Sequence, residues 1–353
     1  MISIEAQNKS QKALHSLSLS FGALVLAILV SAIVMALCRF NPMQAFAAIF
    51  QGAFGSLRAV SQTLVQATPL MFTGLAFAIA KKASLINIGV EGQMYMGAIA
   101  AAWIGAMPLP LPLFVHLPLA IVIGAAAGAL LAGFVGFLKV KFGSNEVIAT
   151  IVLNTIAINI TSYLGNYPLK ADGPTAQTNR IQQTAELSRI FPGYQLTMAF
   201  FLAMLVCLLI YLIMEKSILG YEIRSVGYNR LAAQTAGINI SRVVVISMML
   251  SGAVGGLAGA MHVLGVDKRF IVGFSPGYGF NGISVAALAA DHPLGVILAS
   301  IIFGALNAGS MVLNRTTRIP TDFINVIQGL VIIFVSAPAL VRELTPHRRK
   351  RHG

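Results

Sequence analysis

Apolar residues along this chain come in runs of about twenty, separated by short polar breaks, from Leu17 to Val341. A helix rising 1.5 Å per residue needs about twenty such residues to cross roughly 30 Å of hydrocarbon, so each run reads as a membrane span. Ten segments qualify: 17–38, 59–80, 84–107, 113–137, 146–164, 196–214, 243–266, 271–290, 294–313 and 322–341. The run at 271–290 is rich in Gly and broken by Pro276, which fits a short or re-entrant helix buried among its neighbours. The pattern predicts an all-α, polytopic integral membrane protein of about ten transmembrane helices with both termini in the cytoplasm. It divides into a cytoplasmic N-terminal segment (1–16), one transmembrane domain (17–341) and a basic cytoplasmic tail (342–353). The first run is too long for the core of a signal peptide and lacks a small-residue cleavage site, so it is expected as a retained helix.

Composition narrows the picture. Of 353 residues, 57% are hydrophobic and 10% charged, against about 25% charged in an ordinary soluble domain. A net charge of +13 would suit nucleic acid if it gathered on one face. Instead, the ten-span topology places 15 of the 24 basic residues in inner loops and ends, among them Lys81, Lys82, Lys139, Lys141, Lys216, Arg224, Arg230 and Arg348 to Arg351. That is the positive-inside bias, imperfect because Arg39, Arg58, Lys268 and others fall outside. Cys38 and Cys207 have neither the spacing of a metal site nor that of a disulfide framework. No G-x-x-x-x-G-K-[ST] loop occurs, so energy for any transport must come from a partner or a gradient. No catalytic set, metal cluster or resident cofactor is expected.

Polar residues inside the spans carry the remaining information. In S-L-I-N-I-G-V-E-G-Q-M-Y-M, Asn87, Glu91 and Tyr95 repeat every four residues, which places them on one face of a continuous third helix. A carboxylate near mid-bilayer costs about 2.5–3.5 kcal/mol, so Glu91 faces either a water-filled path or a neighbouring helix. Thr150, Asn154, Ala157 and Thr161 share a face of the fifth span. Asn281, Ser284 and Asp291 lie on roughly one side of the eighth, beside Phe280, with Asp291 at its inner boundary. Hydroxyls and amides suit a polar, uncharged solute. Three polar faces favour a solute path over a scaffold or receptor, and a secondary transporter would have only Glu91 as an ion-coupling group. Small residues spaced by four, Gly124 with Gly128, Gly252 with Gly256 and Gly255 with Gly259, argue for closely packed helices. The polar, Pro-containing loop 165–195 is expected on the outer face as a docking surface. The inner loop 215–242 is expected to hold a short helix at 229–236 between Gly227 and Gly237.

These stretches resemble the permeases of bacterial ABC importers of the branched-chain amino acid and simple-sugar class, and within it the nucleoside branch. Ile86-Asn87-Ile88-Gly89-Val90-Glu91-Gly92-Gln93 is similar to that branch's third-span signature. Arg224-Ser225-Val226-Gly227-Tyr228-Asn229-Arg230, continuing through Ala232, Ala233 and Gly237, resembles the inner loop that contacts the ATPase. Gly279-Phe280-Asn281-Gly282-Ile283, Pro293-Leu294-Gly295 and Ile327-Gln328-Gly329-Leu330 fit the C-terminal part. The resemblance implies a permease in a bacterial inner membrane working by alternating access. Its implied partners are a second related permease, a cytoplasmic ATPase carrying ATP and Mg, and an extracytoplasmic binding lipoprotein. For such a cargo, with its hydroxylated ribose and flat base, Asn87, Glu91, Gln93, Tyr95, Asn154, Phe280, Asn281 and Ser284 on the polar faces are expected along the substrate path. Gly227, Asn229, Arg230, Ala232, Ala233 and Gly237 are implied in ATPase coupling. A simple sugar or a branched-chain amino acid remains the alternative cargo.

Overall fold

The computed structural model describes residues 25–317, 319, 323–330, 333 and 334. The predicted ends 1–16 and 342–353, the start of the first span and half of the span at 322–341 lie outside the described residues. Helices account for most of the rest: α1 (Val25–Leu37), α2 (Pro42–Phe54), α3 (Leu57–Lys82), α4 (Val90–Ala106), α5 (Leu113–Phe142), α6 (Glu146–Asn166), α7 (Ala199–Lys216), α8 (Ile218–Tyr228), α9 (Arg230–Thr235), α10 (Ile240–His262), α11 (Tyr278–Leu288), α12 (Pro293–Thr317) and α13 (323–330). Six of them, α3, α5, α6, α7, α10 with its π-helical extension to Asp267, and α12, are long and apolar enough to cross a membrane.

Local signals set the helix ends. Ser56 caps α3, its hydroxyl accepting from Ala59 N at 3.1 Å. Gly143 ends α5 in the left-handed region (φ 66°), a conformation that costs glycine little, and Asn145 then caps α6 by accepting from the Val147 and Ile148 amides. The helix α2 has no counterpart in the expected spans, because its 13 residues are too few to read as one; Asn41 caps it and it packs on α12 and α3.

The centre of the bundle is α3, with α4, α5 and α10 packed backbone to backbone beside it. Where α5 crosses α10, Gly124 and Gly128 meet Gly252 and Gly256, and a Cβ on any of these would land on backbone atoms or on an alanine methyl of the facing helix. Gly97 and Gly259 bring α4 against α10 in the same way. The spacings of four thus do what they predict, and the absence of side chains is what allows the contact. The opposite faces of the outer helices are apolar and exposed, including Phe114, Val122 and Leu130 on α5, Ile148 and Ile156 on α6, and Leu205 and Leu212 on α7. In a membrane this belt meets lipid.

The loops gather at two ends. At one, Gly227 of α8 is seated against the Lys82 carbonyl, Lys139 pairs with Glu146 at 2.5 Å, and His292 lies against Tyr211. These are the loops expected inside. At the other end, the segment after α6 is laid down on the stretch after α10. Thr178 N donates to Phe270 O, Ile181 N to Lys268 O and Leu187 N to Leu264 O, each at 2.9 Å, and Ile181, Ala185 and Leu187 are buried. The buried Lys268, with φ 60°, fastens this seam through Glu186 at 3.1 Å and the Leu187 carbonyl at 3.3 Å. The expected outer loop is therefore in large part a folded cover on the bundle.

Because the α5–α10 contact is backbone on backbone, Gly256→Leu is expected to cost about 1–3 kcal/mol of stability, whereas Ala126→Leu on the exposed face of α5 is expected to be neutral. Thermal unfolding of detergent-purified protein measures both, and equal midpoints would contradict the packing described.

Candidate functional site

The third span is not one continuous helix. After Lys82 the chain turns at Ser84 (φ 56°) and runs without helical structure to Gly89, and α4 begins only at Val90. This stretch returns into the bundle: buried Asn87 reaches Ser251, in the middle of α10, at 2.8 Å, and the Ser251 hydroxyl donates to the Ala76 carbonyl of α3 at 2.6 Å. Asn87 consequently does not share a helix face with Glu91 and Tyr95. Its position four residues ahead of Glu91 imitates helical spacing, and the interior contacts decide otherwise.

A helix that starts inside the bundle leaves its first N–H groups without intrahelical partners, and no water is there to take them. Gly89, the cap residue of α4, has no side chain to offer. Asn154 supplies the missing acceptor from α6, its amide oxygen taking the Gly92 N–H. Asn87 and Gln93 hold each other through two amide hydrogen bonds of 3.0 and 2.9 Å, and Asn87 also accepts from Gly89 N at 3.1 Å. Thr150 takes the Ile88 N–H at 3.3 Å. Two residues of the polar face expected on the fifth span, Thr150 and Asn154, are thus used at this helix start, on the backbone amides of Ile88 and Gly92.

The helix α11 repeats the device. It is only 11 residues long, about 16 Å, and starts at Tyr278 behind Gly277, which holds φ 92°. The Ser275 hydroxyl accepts from Gly277 N and Tyr278 N at 3.2 and 3.1 Å, and the Glu91 carboxylate accepts from Gly279 N. Thr73 of α3 donates to the Tyr278 carbonyl at 2.9 Å. Buried Glu91 thus sits at the N-terminus of a second helix, where the amide dipoles favour a negative group. The expected span 271–290 is shortened to this half-length helix. Asp291 is not on it: with Ala290 it forms a turn of positive φ (56° and 50°) at the end of the bundle near Lys81 and Lys82. Burial raises its carboxyl above the usual range, and the two lysines oppose that shift.

The other expected path residues separate. Tyr95 joins an aromatic group with Phe270 and Phe274, at centroid distances of 6.2 and 4.8 Å, under the folded cover. Ser284 is buried within α11, whereas Phe280 projects outward, 47% exposed. Asn281 alone lines open space: a cavity of about 370 Å³ between α3, α11, α12 and α13, shared with Gln66, Asn307, Ser310 and Asn325. Those four were not among the expected site residues. The pair Asn307 and Ser310, one turn apart in an apolar run, and the amide of Gln66 inside another were the available signals.

At the opposite end, Asn229 ends α8 and caps α9, its side chain accepting from Ala232 N at 3.0 Å. The single helix expected at 229–236 is thus the second of two, and Gly227 lies within the first. Gly237 closes α9 at φ 85° while Ile238 N donates to Ala233 O at 3.0 Å. Ala233 is buried, Ala232 is exposed, and Arg230 is exposed between Tyr228 (89% exposed) and Leu231 (76%). Large exposed apolar side chains thus flank a cation at this end of the bundle, the composition of surface patches that engage other proteins.

Glu91→Gln keeps an oxygen for the Gly279 amide and is expected to retain near-parental stability, whereas Glu91→Leu strands that N–H and is expected to cost about 1–3 kcal/mol. Asn154→Leu should cost about 1 kcal/mol through the Gly92 amide. Thermal midpoints of the three purified variants check the order, and equal loss in Gln and Leu would remove the capping role from Glu91.

Comparison with known proteins agrees with this architecture. Residues 59–336 match the family described as branched-chain amino acid transport system/permease component. The guanosine ABC transporter permease protein NupP of Bacillus subtilis is 34% identical over 346 residues, covering 96% of this chain and 99% of its own. The nucleoside ABC transporter permease protein NupB of Lactococcus lactis is 30% identical, covering 96% and 94%. The glucose ABC transporter permease protein TsgB13 of Haloferax volcanii is 32% identical, covering 90% and 87%. A second permease of B. subtilis named for guanosine, NupQ, is 28% identical over 72% of this chain. A helical, membrane-embedded chain whose relatives over nearly its whole length are transport subunits belongs with them: it is a member of the branched-chain amino acid transport system permease family, the membrane-spanning subunits of ABC transporters.

Proposed function

We propose that this chain is the nucleoside-translocating permease of an ATP-driven importer in a bacterial inner membrane. The near full-length similarity to a permease named for guanosine carries the reading. The cavity beside α3 supports it, its walls carrying four amides and a hydroxyl and, among the described residues, no ionised group. A branched-chain amino acid would bring two charges into such a site, and unpaired charges out of water are costly. One observation favours a second reading, glucose or a related sugar, namely the comparable similarity to a permease named for glucose.

A second, related permease completes the path in this reading, with both B. subtilis relatives named for the same solute as its support. The outer face of α6 supplies a place for it. Thr155 and Asn159, both exposed, continue through half-buried Ser162 and Asn166 as a stripe, and a polar stripe is poorly placed against lipid. The binding lipoprotein would dock on the folded cover, and ATP and Mg would be held by a cytoplasmic ATPase seated on α8 and α9. Within this division Asn87, Glu91, Gln93 and Asn154 position the helices that frame the path, and Asn281 faces it.

Uptake of labelled guanosine or uridine by cells carrying or lacking the chain tests the cargo. Uptake that depends on the chain and is competed by nucleosides, but not by glucose, ribose or leucine, is the expected result; competition by glucose or ribose installs the sugar reading. Arg230→Glu is expected to reduce uptake about tenfold or more, since reversing a contact charge costs several kcal/mol, with the folded chain at parental level. Unchanged uptake and unchanged substrate-stimulated ATPase activity would remove α9 from the coupling surface.

A further inference from the structure

The cavity between α3, α11, α12 and α13 has walls of two kinds. Gln66, Asn281, Asn307 and Asn325 contribute four carboxamides, and Met311 with Ile324 forms an apolar side. Two of the amides are held at one end only. The Tyr278 hydroxyl donates to Gln66 Oε1, and Gln328 Nε2 donates to Asn307 Oδ1 at 2.8 Å. The amino ends of Gln66 and Asn307 have no partner among the described residues, and buried Gln328 Oε1, one bond from that contact, has none either. Held amides with open hydrogen-bonding ends, in a space within the roughly 300–1,000 Å³ range of small-molecule sites, form a recognition surface.

From this geometry we infer that the cavity is a subsite for the base of a neutral nucleoside, resting on the nucleoside reading given above. The open amino ends of Gln66 and Asn307 can donate to base acceptors, and the carboxamides of Asn281 and Asn325 each present a donor and an acceptor side by side, the pattern that matches the edge of a nucleobase. The flat face of the base lies against Met311 and Ile324. A hexose, hydroxylated around its whole rim, would leave hydroxyls against that apolar side without partners, and such groups are costly to strand. A nucleotide would bring phosphate charge to a wall that offers no cation among the described residues.

The test uses the chain assembled with its partners in membranes, with Cys38→Ser and Cys207→Ala removing the native thiols and Asn307→Cys or Ser310→Cys adding one in the cavity. A charged, water-borne thiosulfonate reports modification, and uptake of labelled guanosine is followed in the same membranes. Modification at both positions, slowed about tenfold by guanosine at about ten times its Kd and unaffected by leucine or glucose, is the expected result. No modification at either position overturns the inference, as does modification that guanosine leaves unchanged while uptake persists. Protection by glucose rather than guanosine overturns the assignment to a base. Absence of guanosine uptake by the unsubstituted assembly is a failure of the nucleoside reading itself, distinct from these.

Discussion

In a bilayer every backbone N–H must find a partner within the protein, and this requirement shapes the centre of the molecule more than any other. Two helices, α4 and α11, start inside the bundle rather than at its surface. Neither has a side-chain cap contributed by its own cap residue. The first N–H groups of α4 are taken by Asn154 from α6, and those of α11 by Ser275 and by Glu91 from α4. Helix α6 thus fixes α4, and α4 fixes α11. The backbone approach of α4 and α5 to α10 through glycines holds this chain of caps in register.

Transport by alternating access needs rigid elements that move as units and a solvated space between them. Half-length helices capped by neighbours are well suited to the first role, because a displacement of α6 or α4 carries the next helix with it. The open space lies elsewhere, against α3 and α12, where amide groups are left with hydrogen-bonding capacity. Polar residues of the interior therefore fall into two sets, one spent on the fold and one with hydrogen-bonding ends left open.

Much of the fold was legible in the chain because membrane spans are long, and a run such as 113–137 permits few other structures. Gly124 and Gly128 could be read as packing residues for the same reason. The helix starts were not legible. The spacing of Asn87, Glu91 and Tyr95 suits an unbroken helix, and the break at 83–89 exists because Asn87 gains Ser251, Gln93 and Gly89 as partners, none of which periodicity reveals. Polarity inside a span correctly marked Asn87, Glu91 and Asn154 as interior, but it does not separate a cap from a solute contact. That distinction depends on what each oxygen and amine already holds. Asn281 was recognised within a polar group, while the signals at the other amides were weaker: Asn307 with Ser310 one turn on, and the single amide of Gln66, each inside an apolar run.

Hydrogen–deuterium exchange of the permease in lipid, read at single-amide resolution, tests the division most directly. The amides of Gly92 and Gly279 should exchange as slowly as the interior of α3, because each is held by a side chain from another helix. Exchange at those two amides as fast as in the exposed loop residues Gly173 and Gly193 would mean that the helix starts are open to water, and that Asn154 and Glu91 line a solvated path rather than close it.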